Sequence, residues 1–511
     1  MTNAVRPLRI LHYNWVDYLD PEKRGGGVTV YLRNLMAQFE NHDGVKAACL
    51  SAGLIHDLPK GAPRWEPTRV GPRADRDRRY VLVNSGVLAP GHHSFGHDAQ
   101  LSHPATEAAF CDMVAQTGPW DVVHFQNFEG VPIGVLAALK GRFPDLRIVA
   151  SLHNYYPICP QVNLWQREEA HCDDFRDGRA CVGCLMHQPS AKLVTAAHGL
   201  SYRLQRLGMT PGSRLFNATF GAAIRVGHRG SRAVGALRRV RAHPRTVEPG
   251  DVASLPAARG PRHSGAFARR RRTMIDALND HADTVLGVSD RVCDIAASHG
   301  VSRDILRTSY IGTAHAALFD DTQPRGPLPG KARTLHLAYL GYMRRDKGFF
   351  FLLDALESLP AHLALRVRLT VAARRGDAAA MGRLDVLARR LAGLHHHDGY
   401  THDNLDDILD DVDVGVVPVL WEDNLPQVAI EMHARRIPLL TSDRGGAREL
   451  ANHDAMVFTS GDTASFRARI ETILDGKIDI DAYWRDARAP QSMAAHLAEL
   501  LEIYEGPHAR R

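Results

Sequence analysis

Residues 414–450 read VGVVPVLWEDNLPQVAIEMHARRIPLLTSDRGGAREL, and the fold turns on how they are parsed. An apolar run of strand length, 414–420, ends in the polar knot Trp421-Glu422-Asp423-Asn424. The period then becomes helical, with Leu425, Val428, Ala429 and Met432 on one face. Pro426 suits the first helical position, where a missing N–H costs nothing, and Asp423 or Asn424 suits the cap before it. A second strand at 437–441 gives way to Asp443-Arg444-Gly445-Gly446 and another short helix. This pattern predicts a βαβ unit whose carboxyl edge gathers acids, glycines and helix N-termini, where open parallel sheets bind phosphorylated ligands. A capped helix after a buried strand explains the cap and the proline but gives Glu431 no task beyond helix propensity.

The spacing from Asp423 to Glu431, with Pro426 inside it and Gly445-Gly446 downstream, resembles the E-x7-E signature of retaining, family-4 glycosyltransferases. The resemblance implies an α/β chain of the GT-B type, two Rossmann-like domains facing an interdomain cleft. It also implies that the first acid touches a donor sugar while Glu431 holds the ribose of its nucleotide. Asp423 stands where that family has Glu, and Glu422 sits one residue earlier, so either acid is a candidate for the sugar contact. Asn424, Gln427 and Val428 fall beside them on the donor side.

A chain of 511 residues is too long for one core and predicts two or three domains. With 44% hydrophobic and 23% charged residues the composition is that of a globular protein, and no apolar run approaches the roughly 20 residues of a membrane helix. The N-terminus enters a strand without the apolar core of a secretory signal, which predicts a cytoplasmic protein. The formal charge of +6 is unevenly spread: residues 185–272 hold 17 Lys or Arg against Glu248 and Asp251, a net +15 that leaves −9 elsewhere.

From the start, residues 9–13 read as a buried strand, followed by Gly25-Gly26-Gly27 and a helix with Val30, Leu32, Leu35, Met36 and Phe39 as its apolar stripe. Glycines between strand and helix let a backbone approach an anion. On the family resemblance, Gly26 and Gly27 belong to the loop facing the donor diphosphate. Strands at 121–125 and 147–152 end in His124-Phe125-Gln126-Asn127 and His153-Asn154-Tyr155-Tyr156. A histidine at such an edge is often only a hydrogen-bonded structural residue. The resemblance implies acceptor-side roles for His124, Gln126, Asn127, His153 and Tyr155, with His153 nearest the acceptor.

Cys159, Cys172, Cys181 and Cys184 form a C-x12-C-x8-C-x2-C run. In a reducing compartment such a cluster argues for metal over disulfides. Four thiolates suit a structural zinc ion or, as the lesser alternative, an iron–sulfur cluster, and no cofactor is expected for the chemistry. A loop stapled in this way is expected to hold Tyr155 and Tyr156 at the rim of the cleft. Residues 192–265 then turn rich in Arg, Gly, Ala and Pro and read as a basic, partly mobile insertion, with order returning at 272. An anionic membrane surface is the favoured partner, nucleic acid a weaker one, and a solvated insertion without partner the plain alternative.

The second half opens with a strand at 334–340, the loop Gly341-Tyr342-Met343-Arg344-Arg345-Asp346-Lys347-Gly348 and a helix. Cations between two glycines before a helix N-terminus make a diphosphate site, since they neutralise charge on a leaving group. Lys347 matches the family lysine. Tyr342 occupies the family's arginine position, so Arg344 or Arg345 would supply that charge. Gly399-Tyr400 resembles the loop beside the nucleobase. The resemblance gives domains at 1–315, 316–490 and a helix at 491–511 crossing back, with a cysteine loop at 154–187 and the insertion at 192–272.

The implied activity is transfer of a sugar from a nucleotide-diphosphate sugar to a saccharide or lipid-linked acceptor, in cell-surface polysaccharide or glycolipid synthesis, at the inner face of the membrane. Lys347, Asp423 and His153 are the residues expected to carry it. The alternatives are an inactive scaffold that binds membrane or nucleic acid, and a sugar-nucleotide epimerase on the same fold.

Overall fold

The structure, a computed structural model, describes residues 6–22, 24–59, 61–69, 71–185, 190–225, 263–330 and 333–506. Much of the basic insertion, 226–262, therefore lies outside the described residues. The chain divides into two compact units, one of residues 1–33, 42–148 and 176–282, the other of residues 34–41, 149–175 and 283–511.

The first unit carries β1 (Leu8–Tyr13), β2 (Val45–Ile55), β3 (Arg64–Pro67), β4 (Arg79–Val83) and β5 (Val122–Phe125), in the order β5-β1-β2-β4-β3. All neighbours run parallel except β3 against β4. Parallel strands need apolar side chains on both faces, and Ile10, Leu11, Leu82, Val83, Val122 and Val123 are all fully buried. The helix Gly26–Glu40 buries Tyr31, Leu32, Leu35, Met36 and Phe39. Tyr31 thus takes the place expected for Val30, because it lies four residues before Leu35 and so on the same helix face.

The stretch up to 272, expected to belong to the insertion, is already helical from Ser264. The helix Ser264–His281 buries Phe267, Arg270, Met274 and Leu278 at helical spacing, a stripe the arginine run disguises. Arg270 Nε donates to Gln100 Oε1 at 2.5 Å and Arg269 pairs with Asp98 at 2.6 Å, so this part of the basic cluster serves the fold.

The chain passes between units along β6 (Arg147–Leu152). Beyond a small antiparallel pair, β7 (Trp165–Gln166) and β8 (Ala170–His171), β9 (Thr284–Gly287) pairs parallel with β6 and with β10 (Leu306–Thr308). Then follow β11 (Leu335–Gly341), β12 (Val367–Ala373), β13 (Gly393–Asp398), β14 (Val414–Val417), β15 (Leu439–Ser442) and β16 (Val457–Phe458). They form one parallel sheet ordered β13-β12-β11-β14-β15-β16. Its core joins Leu337, Leu352, Leu369, Val371, Leu440, Phe466 and Ile470. Numbered from its own first strand, this is the 3-2-1-4-5-6 order of a Rossmann sheet, whose chain reverses direction between β11 and β14. Ligands of such sheets bind at the carboxyl ends of those two strands. No helix among the described residues is long and apolar enough to cross a membrane.

Candidate active site

Two loops meet at that reversal, 341–348 after β11 and 418–426 after β14. Gly348 has a φ of +72°, and a Cβ there would stand 1.6 Å from the Pro418 carbonyl oxygen. Only glycine therefore lets the first loop close on the second. The contact sets Lys347 Nζ 2.5 Å from Asp423 Oδ2 and 5.0 Å above the Trp421 ring. The helix Phe349–Glu357 begins at the next residue but one, its Phe349 N–H donating to the Arg344 carbonyl at 3.2 Å. Arg344 lies over the same loop, but its guanidinium holds both oxygens of the buried Asp346 at 3.0 Å. Arg345 points over Phe350, and Tyr342 is exposed.

The expected cap at Asp423 or Asn424 is corrected: the helix Gln427–Ala434 has Pro426 as its cap residue with no side-chain cap bond, because both side chains are engaged elsewhere. Asp423 holds Lys347. Asn424 donates from Nδ2 to the Leu152 carbonyl at 3.1 Å, and its own carbonyl accepts from Ser289 Oγ at 2.7 Å. Gly445 and Gly446 pack directly under this turn. A Cβ at either would lie 2.3 Å from the Asp423 or Asn424 carbonyl oxygen, so the double glycine is a packing requirement.

Neighbouring acids have different surroundings. Glu422, 1% exposed, takes a bidentate contact from Arg291 at 2.6 and 2.9 Å, another from Arg444 at 3.0 Å and the Gly445 N–H at 2.9 Å. Burial alone would raise its pKa, yet these donors outweigh it and hold the carboxyl near 2. Arg291 belongs to the helix Asp290–Ser298, whose first N–H groups Glu449 accepts at 2.8 and 2.9 Å and whose cap is Ser289. Glu431 is buried on the helix Gln427–Ala434 and takes the Tyr400 hydroxyl at 2.8 Å; burial raises its pKa. Gly399, at φ +82°, turns the chain so that Tyr400 reaches it. Gln427 and Val428 open the same helix, half-buried.

His153, at the end of β6, is held by burial near a pKa of 3, with His496 adding to the depression, so its imidazole is neutral at physiological pH. Tyr155 and Tyr156 are fully buried and do not stand at a rim. Glu422 and Asp423 both push the Tyr155 hydroxyl further up.

In the first unit His124, Gln126 and Asn127 are buried where β5 ends, beside two residues at the end of β1 that the sequence reading passed over. Gln126 Nε2 lies 3.1 Å from His12 Nδ1, Asn127 donates to Asn14, and the His12 and His124 rings stand 5.3 Å apart. Gly26 and Gly27 are exposed at the first turn of the helix Gly26–Glu40. Cys159, Cys181 and Cys184 are buried and Cys172 half-buried; 159 and 172 fall in the second unit, 181 and 184 in the first.

Residues 334–476 match the family described as Glycosyl transferases group 1. The sequence matches no curated protein. Among solved structures, the sucrose-phosphate synthase of Thermosynechococcus elongatus is similar over 99% of this chain and 100% of its own, at 15% identity and a TM-score of 0.54. Anabaena Alr3699/HepE, solved in complex with UDP, is similar over 98% and 99% at 12% identity and a TM-score of 0.52. Apo OtsA covers 98% and 99% at 13% identity and a TM-score of 0.50. The fold shared with these structures is GT-B, and the match to Glycosyl transferases group 1 lies within residues 334–476, across the second parallel sheet.

Proposed function

We propose that the protein moves a sugar from a nucleotide-diphosphate sugar, with retention at the anomeric carbon as in family 4, to a saccharide or lipid-linked acceptor of cell-surface polysaccharide or glycolipid synthesis. The observation that carries this reading is the pairing of Lys347 with Asp423 at a helix N-terminus, on the same sheet edge as buried Glu431. A diphosphate replacing Asp423 at the Lys347 ammonium would be neutralised there and freed as a leaving group. The released Asp423 carboxylate would accept sugar hydroxyls. Glu422, whose oxygens are already taken by two arginines and an amide, has the part of a positioning residue. Glu431 would take the ribose hydroxyls, and neutral His153 would accept a hydrogen bond from the acceptor hydroxyl, whose proton passes to the departing phosphate. That HepE has been solved with UDP supports a nucleoside diphosphate as ligand. The nucleotide-sugar domain would span 316–490 and the acceptor-side domain 1–315.

Binding of a panel of nucleoside diphosphates to the intact chain tests the assignment. Lys347→Ala and Glu431→Ala should each weaken the best ligand at least about tenfold, or about 1.4 kcal/mol. Unchanged affinity in both ends the reading, and a chain that binds nucleotide without hydrolysing or transferring any donor is the inactive scaffold.

Two further readings rest on other observations. Leu193, Leu207 and Leu215 are 65–69% exposed beside Arg203, Arg206 and Arg214, which supports a reversible contact with anionic membrane. Sedimentation with anionic but not neutral liposomes, even with competing DNA, should report it. For the cysteine run a structural zinc is proposed from its spacing alone, and metal analysis of protein purified without chelator should find at least about one ion per chain.

A further inference from the structure

Glu431 has a second carboxylate oxygen, and its surroundings have no part in the reading above. Tyr400 holds Oε2, which fixes the carboxylate and leaves Oε1 facing His402 Nε2 at 3.4 Å. The His315 ring meets His402 edge-on with centroids 4.7 Å apart. One ligand atom from each of His315, His402 and Glu431 lies within 4.8 Å of the other two, and no other such group of His, Cys, Asp or Glu occurs among the described residues.

We propose that His315, His402 and Glu431 form a binding site for a divalent transition-metal ion of the zinc type. Two ligands each about 2.0–2.1 Å from a tetrahedral zinc ion stand about 3.4 Å apart, and the His402–Glu431 distance has that value. It is long for a hydrogen bond between the same atoms. His315 Nε2 is buried and has no hydrogen-bond partner, a cost that a bound ion would remove. His402 is exposed on a loop and can close the remaining distance. Arg435, whose charge bears on both His315 and Glu431, is paired with Asp406 at 2.5 Å. Two imidazoles and one carboxylate leave a fourth position open, and Tyr400 is the outer partner that orients the carboxylate.

Because Glu431 is also the residue proposed to take ribose, the ion and the nucleotide would exclude each other; this consequence alone rests on the proposed function.

The test is titration of the intact chain with Co2+, followed by displacement with Zn2+. Weak d–d bands are expected from this site, distinct from any sulfur-to-cobalt charge transfer that the cysteines proposed to hold zinc would add. His315→Ala and His402→Ala should each lower the affinity at least about tenfold. Cobalt binding that both variants retain, or an intense charge-transfer band as the sole signal, places the ion at the cysteines and overturns the proposal. Adding the best nucleoside diphosphate should raise the apparent Kd for cobalt. Cobalt binding lost in the variants yet indifferent to nucleotide upholds the metal site and refutes the ribose role of Glu431.

Discussion

Where β1 and β5 end, in the first unit, the buried polar side chains are neutral and pair with one another: His12 with Gln126, Asn14 with Asn127. Around the loops after β11 and β14, in the second unit, they are ions: Glu422 with Arg291 and Arg444, Asp423 with Lys347. Both are polar clusters at strand ends of parallel sheets, yet their energetics differ. A neutral amide or imidazole pair contributes about 1 kcal/mol, whereas a buried carboxylate is tolerated only while its cations stay. Under the proposed function the ionic edge would exchange one counter-charge for another on binding a diphosphate, and the neutral edge would offer hydrogen bonds to hydroxyls.

The largest expected effect tests that contrast directly. Arg291→Ala should cost about 3 kcal/mol, because it strips the bidentate partner from a carboxylate with almost no solvent contact. Gln126→Ala should cost about 1 kcal/mol. Denaturant midpoints of the two variants measure the difference, and equal losses would erase the distinction between the edges.

Acid should strike both edges, in different windows. His12 and His153 are each held near a pKa of 3 by burial, below the usual 6.5, so the folded chain binds fewer protons than the unfolded one between those values. Their contribution to stability is complete above about pH 6.5 and declines as pH falls toward 3, by up to about 1.4 kcal/mol per unit for each ring. Glu422, held near 2 by its arginines, contributes stability that is present above its ordinary value of 4.5 and is lost only between there and 2. Stability should therefore already decline between about pH 6.5 and 4.5, and His12→Gln should flatten the slope. A flat profile there would refute the burial of these imidazoles as neutral bases.

The strands were legible because a parallel strand buried on both faces reads as an apolar run between turn residues, and β1, β6, β11 and β14 lie within three residues of their expected ends. Lys347, Asp423 and Glu431 could be picked out from spacing at strand–helix edges. Arg291, Ser289 and Glu449 could not, since Arg291 meets Glu422 across 131 positions and Glu449 across 158, and no local period announces such a partner. Arg270 was misread for a related reason: arginine is taken as solvated until a buried acceptor such as Gln100 is seen. Tyr155 and Tyr156 carry hydroxyls that allow a rim position, and only the packed chain shows them enclosed.

The smallest effect separates two adjacent arginines that sequence treats alike. Arg344 already spends its guanidinium on Asp346 through two bonds of 3.0 Å, while Arg345 lies 6.0 Å over the Phe350 ring and forms no ion pair among the described residues. A diphosphate at Lys347 would draw Arg345 from the ring at little cost, but drawing Arg344 would leave buried Asp346 without its cation. Arg345→Ala should thus weaken nucleoside diphosphate binding by about 1 kcal/mol, a factor of about five, and leave stability unchanged. Arg344→Ala should lower stability by about 1 kcal/mol, the value of a charged hydrogen bond made partly in water, and leave affinity almost unchanged. Isothermal titration and a denaturant midpoint on each variant suffice to tell them apart. The opposite pattern would assign the diphosphate to Arg344 and make its pairing with Asp346 the contact that ligand binding breaks.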